Sequence, residues 1–217
     1  MFYKDSRNIY RVPELDGLAW LEHGFGTRLV DVPALMGSLA LLKQIHSATC
    51  LAAEGRTGLI GDGDALVENT PGVAVAVRTA DCLPILLVDE RCRAVAAVHA
   101  GWRGTVAGIA RHAVAALHAR FGSKAADLHA AIGPGIGKCC YQVGPEVAGQ
   151  FGENGHAHID LAEANRAQLL EAGVTARRIY RSNLCTMCGA AEFHSYRRDR
   201  EAAGRMVSYA GIQAAVQ

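Results

Sequence analysis

Two short apolar runs separated by a charged turn constrain the fold of this chain more than any other feature. Residues 83–88 and 94–98 are each long enough for one buried strand, and residues 89–93 supply the turn between them. If the two strands pair as a hairpin, Cys82, just before the first strand, lies beside His99, just after the second. The sequence therefore predicts a functional site at this end of the hairpin.

Length and composition indicate a single globular domain spanning residues 1–217. Half of the residues are hydrophobic and 20% are charged, as is usual for soluble proteins. The formal net charge of +1 gives no electrostatic reason to expect nucleic acid or an anionic membrane as a partner. No apolar run approaches the ~20 residues that span a bilayer. The polar N-terminal stretch, broken by Pro13, is not a secretory signal, so we expect a cytoplasmic protein.

Two segments have the pattern of amphipathic or Ala-rich helices. Residues 105–121 predict a helix with Thr105 as its N-cap, followed by Gly122. Residues 160–172 predict a second helix, in which Asp160 and Glu163 form a capping box.

Short β-branched or apolar runs predict several strands around these helices. Two of them are residues 43–50, which carry His46, and residues 192–196. Residues 32–42 are compatible with a short helix or a loop. Because strands and helices do not alternate regularly, the pattern favours an α+β fold with mixed sheets over repeated βαβ units.

His46, Cys82 and His99 form the most specific set of candidate ligands. Two imidazoles and one thiolate are good zinc ligands, and a set of three leaves a fourth position open, as in catalytic zinc sites. A bound metal would lower the pKa of its water to ~7. Two other interpretations stay open: the three residues are unrelated side chains at strand ends, or Cys82 is a nucleophile with His99 as its base and no metal takes part.

The cysteines do not divide evenly into disulfides. There are seven, at positions 50, 82, 92, 139, 140, 185 and 188, which in a reducing compartment indicates metal binding, catalysis or packing. Cys139 and Cys140 lie in a Gly-rich turn that could present backbone N–H groups to a ligand, or could simply pack one cysteine inward. Cys185 and Cys188 form a C-x-x-C, but no second C-x-x-C accompanies it, so a zinc ribbon is weakly supported.

Arg197 and Arg198 are the candidate anion-binding residues. Arginine suits bidentate contacts with phosphate or carboxylate groups, but one of the pair is expected to form an ordinary surface ion pair. The remaining histidines are interpreted as surface or helix residues and not as ligands: His112, His118, His129, His156 and His158.

Several motifs in a fixed order resemble one known family. They are KQIH, TADCLPILL, AVHAGWRG, IGPGIGKCCYQVG, DLAEANRAQLL, CTMC and FHSYRRD followed by GRM. Together they resemble the YfiH-like family, also called laccase-domain or multicopper polyphenol oxidoreductase proteins, from about His23 to the C-terminus. The resemblance implies a layered α/β/β/α fold with mixed sheets and a metal site at His46, Cys82 and His99, with Zn²⁺ as the expected ion and Cu²⁺ as the other possibility.

The resemblance also implies an activity. Family members are assigned purine nucleoside phosphorolysis, in which adenosine, inosine or methylthioadenosine reacts with phosphate, and adenosine deamination. Cys82 and His99 would then be catalytic as well as ligating. Asp81 or another group would shuttle protons, and phosphate would bind either at the open metal position or at Arg197. The partners would be a purine nucleoside and phosphate. Copper-dependent phenol oxidation fits poorly, because one His₂Cys set is too small for a multicopper cluster.

Two other functions are also compatible with the sequence. One is an amidohydrolase that removes a wrongly incorporated serine from a peptidoglycan precursor, and the other is a metal-binding protein without turnover. Two departures from the family pattern bear on the choice: a different, shorter segment follows Arg28, and Gln142 replaces the usual glutamate of CYEVG.

Overall fold

Two mixed β-sheets form the frame of the molecule. The structure is a computed structural model that describes residues 1–30 and 39–214. The strands are β1 (Tyr3–Lys4), β2 (Ile9–Arg11), β3 (Leu21–Gly26), β4 (Leu39–Lys43), β5 (Cys50–Ala52), β6 (Gly58–Asp62), β7 (Ala65–Glu68), β8 (Ala74–Thr79), β9 (Leu83–Asp89), β10 (Ala94–Ala100), β11 (Leu128–Ile132), β12 (Gln142–Val143), β13 (Ala157–His158), β14 (Ile179–Arg181) and β15 (Met206–Ile212).

Among the described residues, one sheet has seven strands and the other has six. Their orders are β1-β2-β3-β15-β8-β4-β6 and β14-β11-β9-β10-β7-β5, and β12 and β13 form a separate two-stranded sheet. The α-helices are α1 (Pro13–Asp16), α2 (Trp102–Val106), α3 (Ile109–Phe121), α4 (Pro145–Ala148), α5 (Leu161–Glu171) and α6 (Tyr196–Asp199).

The core lies in layers on both faces of the six-stranded sheet. On one face, Leu86, Val88 and Ala97 pack against Phe25 and Val75 of the seven-stranded sheet. On the other face, α3 and α5 cover the alternate residues of the same strands. Because both faces are covered, β9 and β10 are buried along their whole length, and their residues 83–88 and 94–98 are continuously apolar. The predicted α+β sandwich with mixed sheets is confirmed.

The predicted central hairpin is confirmed. β9 and β10 are antiparallel, with His99 opposite Pro84 and Ala100 opposite Leu83. This register places Cys82, the residue before β9, next to the end of β10.

The predicted helix over residues 105–121 is in fact two helices. Gly108 adopts a left-handed conformation with φ of 81° and separates α2 from α3. Thr105 is therefore not an N-cap. It lies inside α2, and its Oγ1 accepts a hydrogen bond of 2.9 Å from Asn165 Nδ2. The predicted end at Gly122 is confirmed by its left-handed conformation.

The second predicted helix is confirmed as α5, but its capping box is only half formed. The Asp160 carboxylate accepts a hydrogen bond of 2.9 Å from Glu163 N, as an N-cap should. The Glu163 side chain does not return to the Asp160 backbone, because it pairs with Arg166 and Arg181.

Two predicted strands are wrong. Residues 44–49, including His46, form a connection between β4 and β5, and residues 192–195 form a loop that leads into α6. The backbone N–H groups of His46 and Ser47 bond the Asp64 carboxylate. Those of Glu192 and Phe193 bond the Gly189 carbonyl oxygen in a turn. Of the stretch at 32–42, residues 39–42 belong to β4 and the others lie outside the described residues. Within the described ranges, no helix has both the length and the apolar character needed to cross a bilayer.

His23 in β3 should make the stability of the fold sensitive to mild acid. The side chain is fully buried, and its Nε2 accepts a hydrogen bond of 3.0 Å from Val12 N. Burial, with the Arg11 charge nearby, lowers the pKa of His23 from 6.5 to about 4. The unfolded chain therefore binds more protons than the folded chain between these pH values, so stability falls as the pH drops from 6.5 to 4, by about 3 kcal/mol from this residue.

Urea unfolding at a series of pH values checks this prediction. His23→Gln keeps an acceptor for Val12 N. Its free energy of unfolding should decrease less between pH 6.5 and 4 than that of the wild type. His156→Gln, at an exposed histidine, is the matched control and should leave the profile unchanged. The prediction would be contradicted if the free energy of unfolding fell equally with pH in His23→Gln and in the wild type.

Candidate active site

Three distant segments bring His46, Cys82 and His99 together. Their ligand atoms all lie within 4.8 Å of one another, and the His46 and His99 rings meet edge to face with centroids 5.0 Å apart. His99 is buried, Cys82 is half-buried and His46 is exposed. The set is therefore open to solvent on the His46 side and closed on the His99 side.

Asp64 is the residue that organises this set, and the sequence analysis missed it. Its fully buried carboxylate bonds His99 Nδ1 at 2.8 Å, which leaves His99 Nε2 to face the other two ligands. The same carboxylate accepts hydrogen bonds from the backbone N–H of His46 at 3.0 Å and of Ser47 at 2.6 Å. One side chain thus orients one candidate ligand directly and the loop of a second through its backbone. Carboxylates that hold a metal-ligating histidine in this way are typical of metal sites.

The charges of the site favour a thiolate at Cys82. Burial alone would raise the pKa of Cys82, but hydrogen bonds from His46 and His99 lower it to about 6. Burial likewise opposes protonation of His99, and the bond to Asp64 together with Cys82 raises its pKa to about 9. The Asp64 carboxyl, although buried, is held at a pKa of about 2 by His99 and Ser47. The site therefore concentrates negative charge opposite imidazole nitrogens.

The backbone around the ligands is held in uncommon conformations. His46 has φ of 58° and Asp81, next to Cys82, has φ of 84°, both in the left-handed region that non-glycine residues rarely adopt. Such conformations cost about 1–3 kcal/mol each and persist where surrounding contacts enforce them. At Gly101 a methyl group would lie 3.0 Å from Cys82 Sγ and 3.2 Å from a His46 ring carbon, so only glycine leaves the ligands room.

Asp81 and Arg197 meet at the edge of the ligand set, but their contact is through the Arg197 backbone. Asp81 Oδ2 accepts from Arg197 N at 2.6 Å, and Oδ1 accepts from Thr186 Oγ1 at 2.7 Å. The Arg197 guanidinium donates to the carbonyl oxygen of Gln142 at 2.9 Å and lies over the Tyr141 ring. The Gln142 contact uses the backbone, so it does not depend on which side chain stands at that position.

Arg198 is the arginine of the pair that forms an ion pair. Its guanidinium pairs with Asp199 at 2.8 Å and donates to three backbone carbonyl oxygens, those of Thr186, Met187 and Phe193. Four of the histidines not assigned as ligands contact other groups through Nδ1: His112, His118, His129 and His158.

A cavity of about 710 Å³ opens above the ligand set. Its lining includes His46, Cys82 and His99 and four cationic side chains: Lys43, Arg78, Arg197 and Arg205. This size is within the range of small-molecule sites, and the excess of positive charge favours an anionic group in the substrate. The sequence did not indicate Lys43, Arg78 and Arg205 as binding-site residues, because isolated basic residues are common on any surface.

The donor set fits a divalent metal ion. Two imidazoles and a thiolate, one imidazole supported by a buried carboxylate, match the ligands and outer-shell contacts of three-ligand zinc sites. The cavity beside the set supplies space for the fourth ligand position.

Fold and site together define an α+β sandwich protein with an open His-Cys-His group under a cationic pocket. The model of the family described as "Multi-copper polyphenol oxidoreductase laccase" matches residues 27–213. The chain therefore belongs to this laccase-like family, which includes the YfiH and YlmD proteins.

Curated relatives carry enzyme names. A "Purine nucleoside phosphorylase" of Deinococcus radiodurans is 42% identical over 183 residues, which are 80% of this chain and 70% of that protein. A "Purine nucleoside phosphorylase" of Bacteroides thetaiotaomicron is 37% identical over 72% of this chain and 63% of its own length. An "Adenosine deaminase RL5" from an unknown prokaryotic organism is 43% identical over 62% of this chain and 56% of its own length.

Solved structures share the whole fold. The crystal structure of YlmD from Geobacillus stearothermophilus has a TM-score of 0.88 at 30% identity and covers 98% of both chains. The crystal structure of the Bacillus licheniformis hypothetical protein YfiH has a TM-score of 0.87 at 27% identity, with 98% of this chain and 99% of that one covered.

Proposed function

We propose that this protein is a zinc-dependent purine nucleoside phosphorylase that also deaminates adenosine. The observation that carries the proposal is the open His46, Cys82 and His99 set in a pocket that is also lined by four cationic side chains. The names of the relatives support the same reaction types. Adenosine, inosine and methylthioadenosine are the proposed nucleosides, and phosphate is the second substrate.

His46, Cys82 and His99 would hold the ion, with Asp64 fixing the orientation of His99. When bound, zinc supplies Lewis-acid polarisation and an activated water at neutral pH. Copper is the less favoured ion, because the site offers one three-ligand group and not the several histidine clusters of a multicopper centre.

The other side chains of the pocket would bind and orient the substrates. Arg197, with Arg78 and Arg205 of the same pocket lining, would hold phosphate as a multiply charged anion. Tyr196, which lines the pocket and is 41% exposed, would offer an aromatic face to the purine. Asp81 would pass protons at the edge of the metal site, and its bonds to Thr186 and Arg197 N would fix its carboxylate for that role.

Product analysis of adenosine turnover tests the proposed function. Zinc-loaded protein with adenosine and phosphate should release adenine and ribose 1-phosphate, and without phosphate it should still form inosine and ammonia. Stripping the metal should abolish both reactions and readdition of Zn²⁺ should restore them, because both use the same ion. If the zinc-loaded protein forms neither adenine nor inosine, the proposal is wrong.

A further inference from the structure

A group of four cysteines forms a second set of candidate metal ligands, separate from His46, Cys82 and His99. Cys139 and Cys140 come from the turn after β11, and Cys185 and Cys188 come from the loop after β14. The four Sγ atoms all lie within 4.8 Å of one another. Cys188 Sγ is 3.8 Å from Cys139 Sγ and 3.4 Å from Cys140 Sγ. These separations match a tetrahedral ion with Zn–S bonds of ~2.3 Å, which places its sulfurs ~3.8 Å apart.

The backbone around the four sulfurs is arranged for thiolates. Gly137 N donates a hydrogen bond of 3.2 Å to Cys185 Sγ. Gly137 has no space for a side chain, because a methyl group there would lie 3.2 Å from both Cys139 Sγ and Cys185 Cβ. N–H groups aimed at sulfur stabilise the deprotonated form that a metal requires.

We propose that Cys139, Cys140, Cys185 and Cys188 form a second metal site. It is a tetrathiolate zinc site that links the loop carrying Ile136 and Tyr141, which line the active-site pocket, to the loop of residues 182–190. Binding exchanges the thiol protons, which pass to solvent, for four Zn–S bonds, and no group is oxidised or reduced. The set is closed by four protein ligands, so its role is structural. Arg198 donates to the carbonyl oxygens of Thr186 and Met187 and so holds the backbone of the C-x-x-C loop.

A zinc ion at this position would restrain the active-site pocket, because a few hydrogen bonds join the two cysteine loops to Asp81. The two loops already touch, since Thr186 N donates to Gly135 O at 3.0 Å. Thr186 bonds Asp81 Oδ1, and Ile136 N donates to Asp81 O at 2.8 Å. Ile136 also lines the pocket. Cross-linking the loops would therefore fix Asp81, which precedes the ligand Cys82.

Metal analysis of matched variants of the full chain tests this site separately from the active site. Reconstituted with Zn²⁺ under reducing conditions, the wild type should bind two ions per chain. The triple variant His46→Ala, Cys82→Ala, His99→Ala should retain one ion. Cys185→Ser with Cys188→Ser should also lose one, whereas Cys50→Ser with Cys92→Ser, at two cysteines outside both groups, should lose none. The triple variant lacks the active-site ligands, so its metal content does not depend on the proposed function.

Two further measurements on the triple variant identify the ligands and the role. With Co²⁺ in place of Zn²⁺, it should show intense thiolate-to-metal absorption that Cys185→Ser weakens. Removal of the metal should speed amide exchange of residues 133–141 and 182–190 at least about tenfold. A triple variant that binds no metal, or a disulfide between these cysteines in protein purified without oxygen, would overturn the proposal.

Discussion

Cys82→Ala should lose one equivalent of metal and lower kcat/KM for adenosine phosphorolysis by about 1,000-fold or more. The thiolate is the single anionic ligand of the three-residue set, and its loss leaves only two imidazoles. Two neutral ligands do not hold a divalent ion against water, and an ion that contributes several kcal/mol to the transition state accounts for a loss of this size. Elemental analysis and product formation from adenosine and phosphate are the measurements.

Cys92→Ala is the matched control, because Cys92 lies in the turn at the opposite end of the same hairpin. It should leave metal content and turnover unchanged. Cys82→Asp separates a ligand from a nucleophile: a carboxylate can still bind zinc, so partial metal content and activity are expected. If Cys82→Ala kept its metal, or if metal-free wild type retained full activity, Cys82 would not be acting as a ligand.

The hairpin and the closeness of Cys82 and His99 could be predicted because the relevant signals are local in the sequence. Two apolar runs and their turn fix the register of β9 and β10, and the register alone places Cys82 beside His99. The end of α3 at Gly122 and the N-cap at Asp160 were predictable for the same reason, since one residue decides each of them.

The features that the sequence did not predict depend on contacts between distant segments. Asp62 and Asp64 both belong to the turn sequence GDGD, and nothing local shows that Asp62 is exposed while Asp64 is buried beside His99. The connection around His46 has strand-like residues, but its backbone N–H groups bond Asp64 and not a neighbouring strand. Tertiary contacts therefore override β-propensity there.

The group of four cysteines could not be predicted for the same reason, because it depends on contacts between distant segments. Cys139 and Cys188 are 49 residues apart, and the C-x-x-C lacks a second C-x-x-C, so spacing predicts no four-ligand set. The set exists because β11 and β14 pair in parallel and carry the loops that follow them to the same edge. Two adjacent cysteines then occupy the place that a second C-x-x-C would have filled.

Asp64→Asn should weaken zinc binding at the active site by about 10–100-fold and lower kcat/KM to a similar extent. Asp64 Oδ1 contacts both His99 Nδ1 and His46 N, while Oδ2 accepts from Ser47 N and Ser47 Oγ. An asparagine side chain has only one oxygen, so it can accept from the donors on one side of the carboxylate position but not from those on the other. In either orientation of the amide, its NH₂ group faces N–H or O–H donors. Loss of such an outer-shell carboxylate typically costs this much affinity.

Asp64→Ala should have a larger effect, because it also leaves buried N–H donors of the 44–49 connection and of His99 unpaired. We expect its free energy of unfolding to fall by about 3–5 kcal/mol, as when one partner of a buried charged pair is removed. Asp62→Asn is the control, since Asp62 lies two residues away and its side chain forms an exposed ion pair with Lys43 at 3.4 Å. Competition with a zinc chelator gives the affinity, and urea unfolding gives the stability. An Asp64→Asn protein that binds zinc as tightly as Asp62→Asn would show that His46 and His99 do not depend on this carboxylate, and the outer-shell role assigned to Asp64 would have to be abandoned.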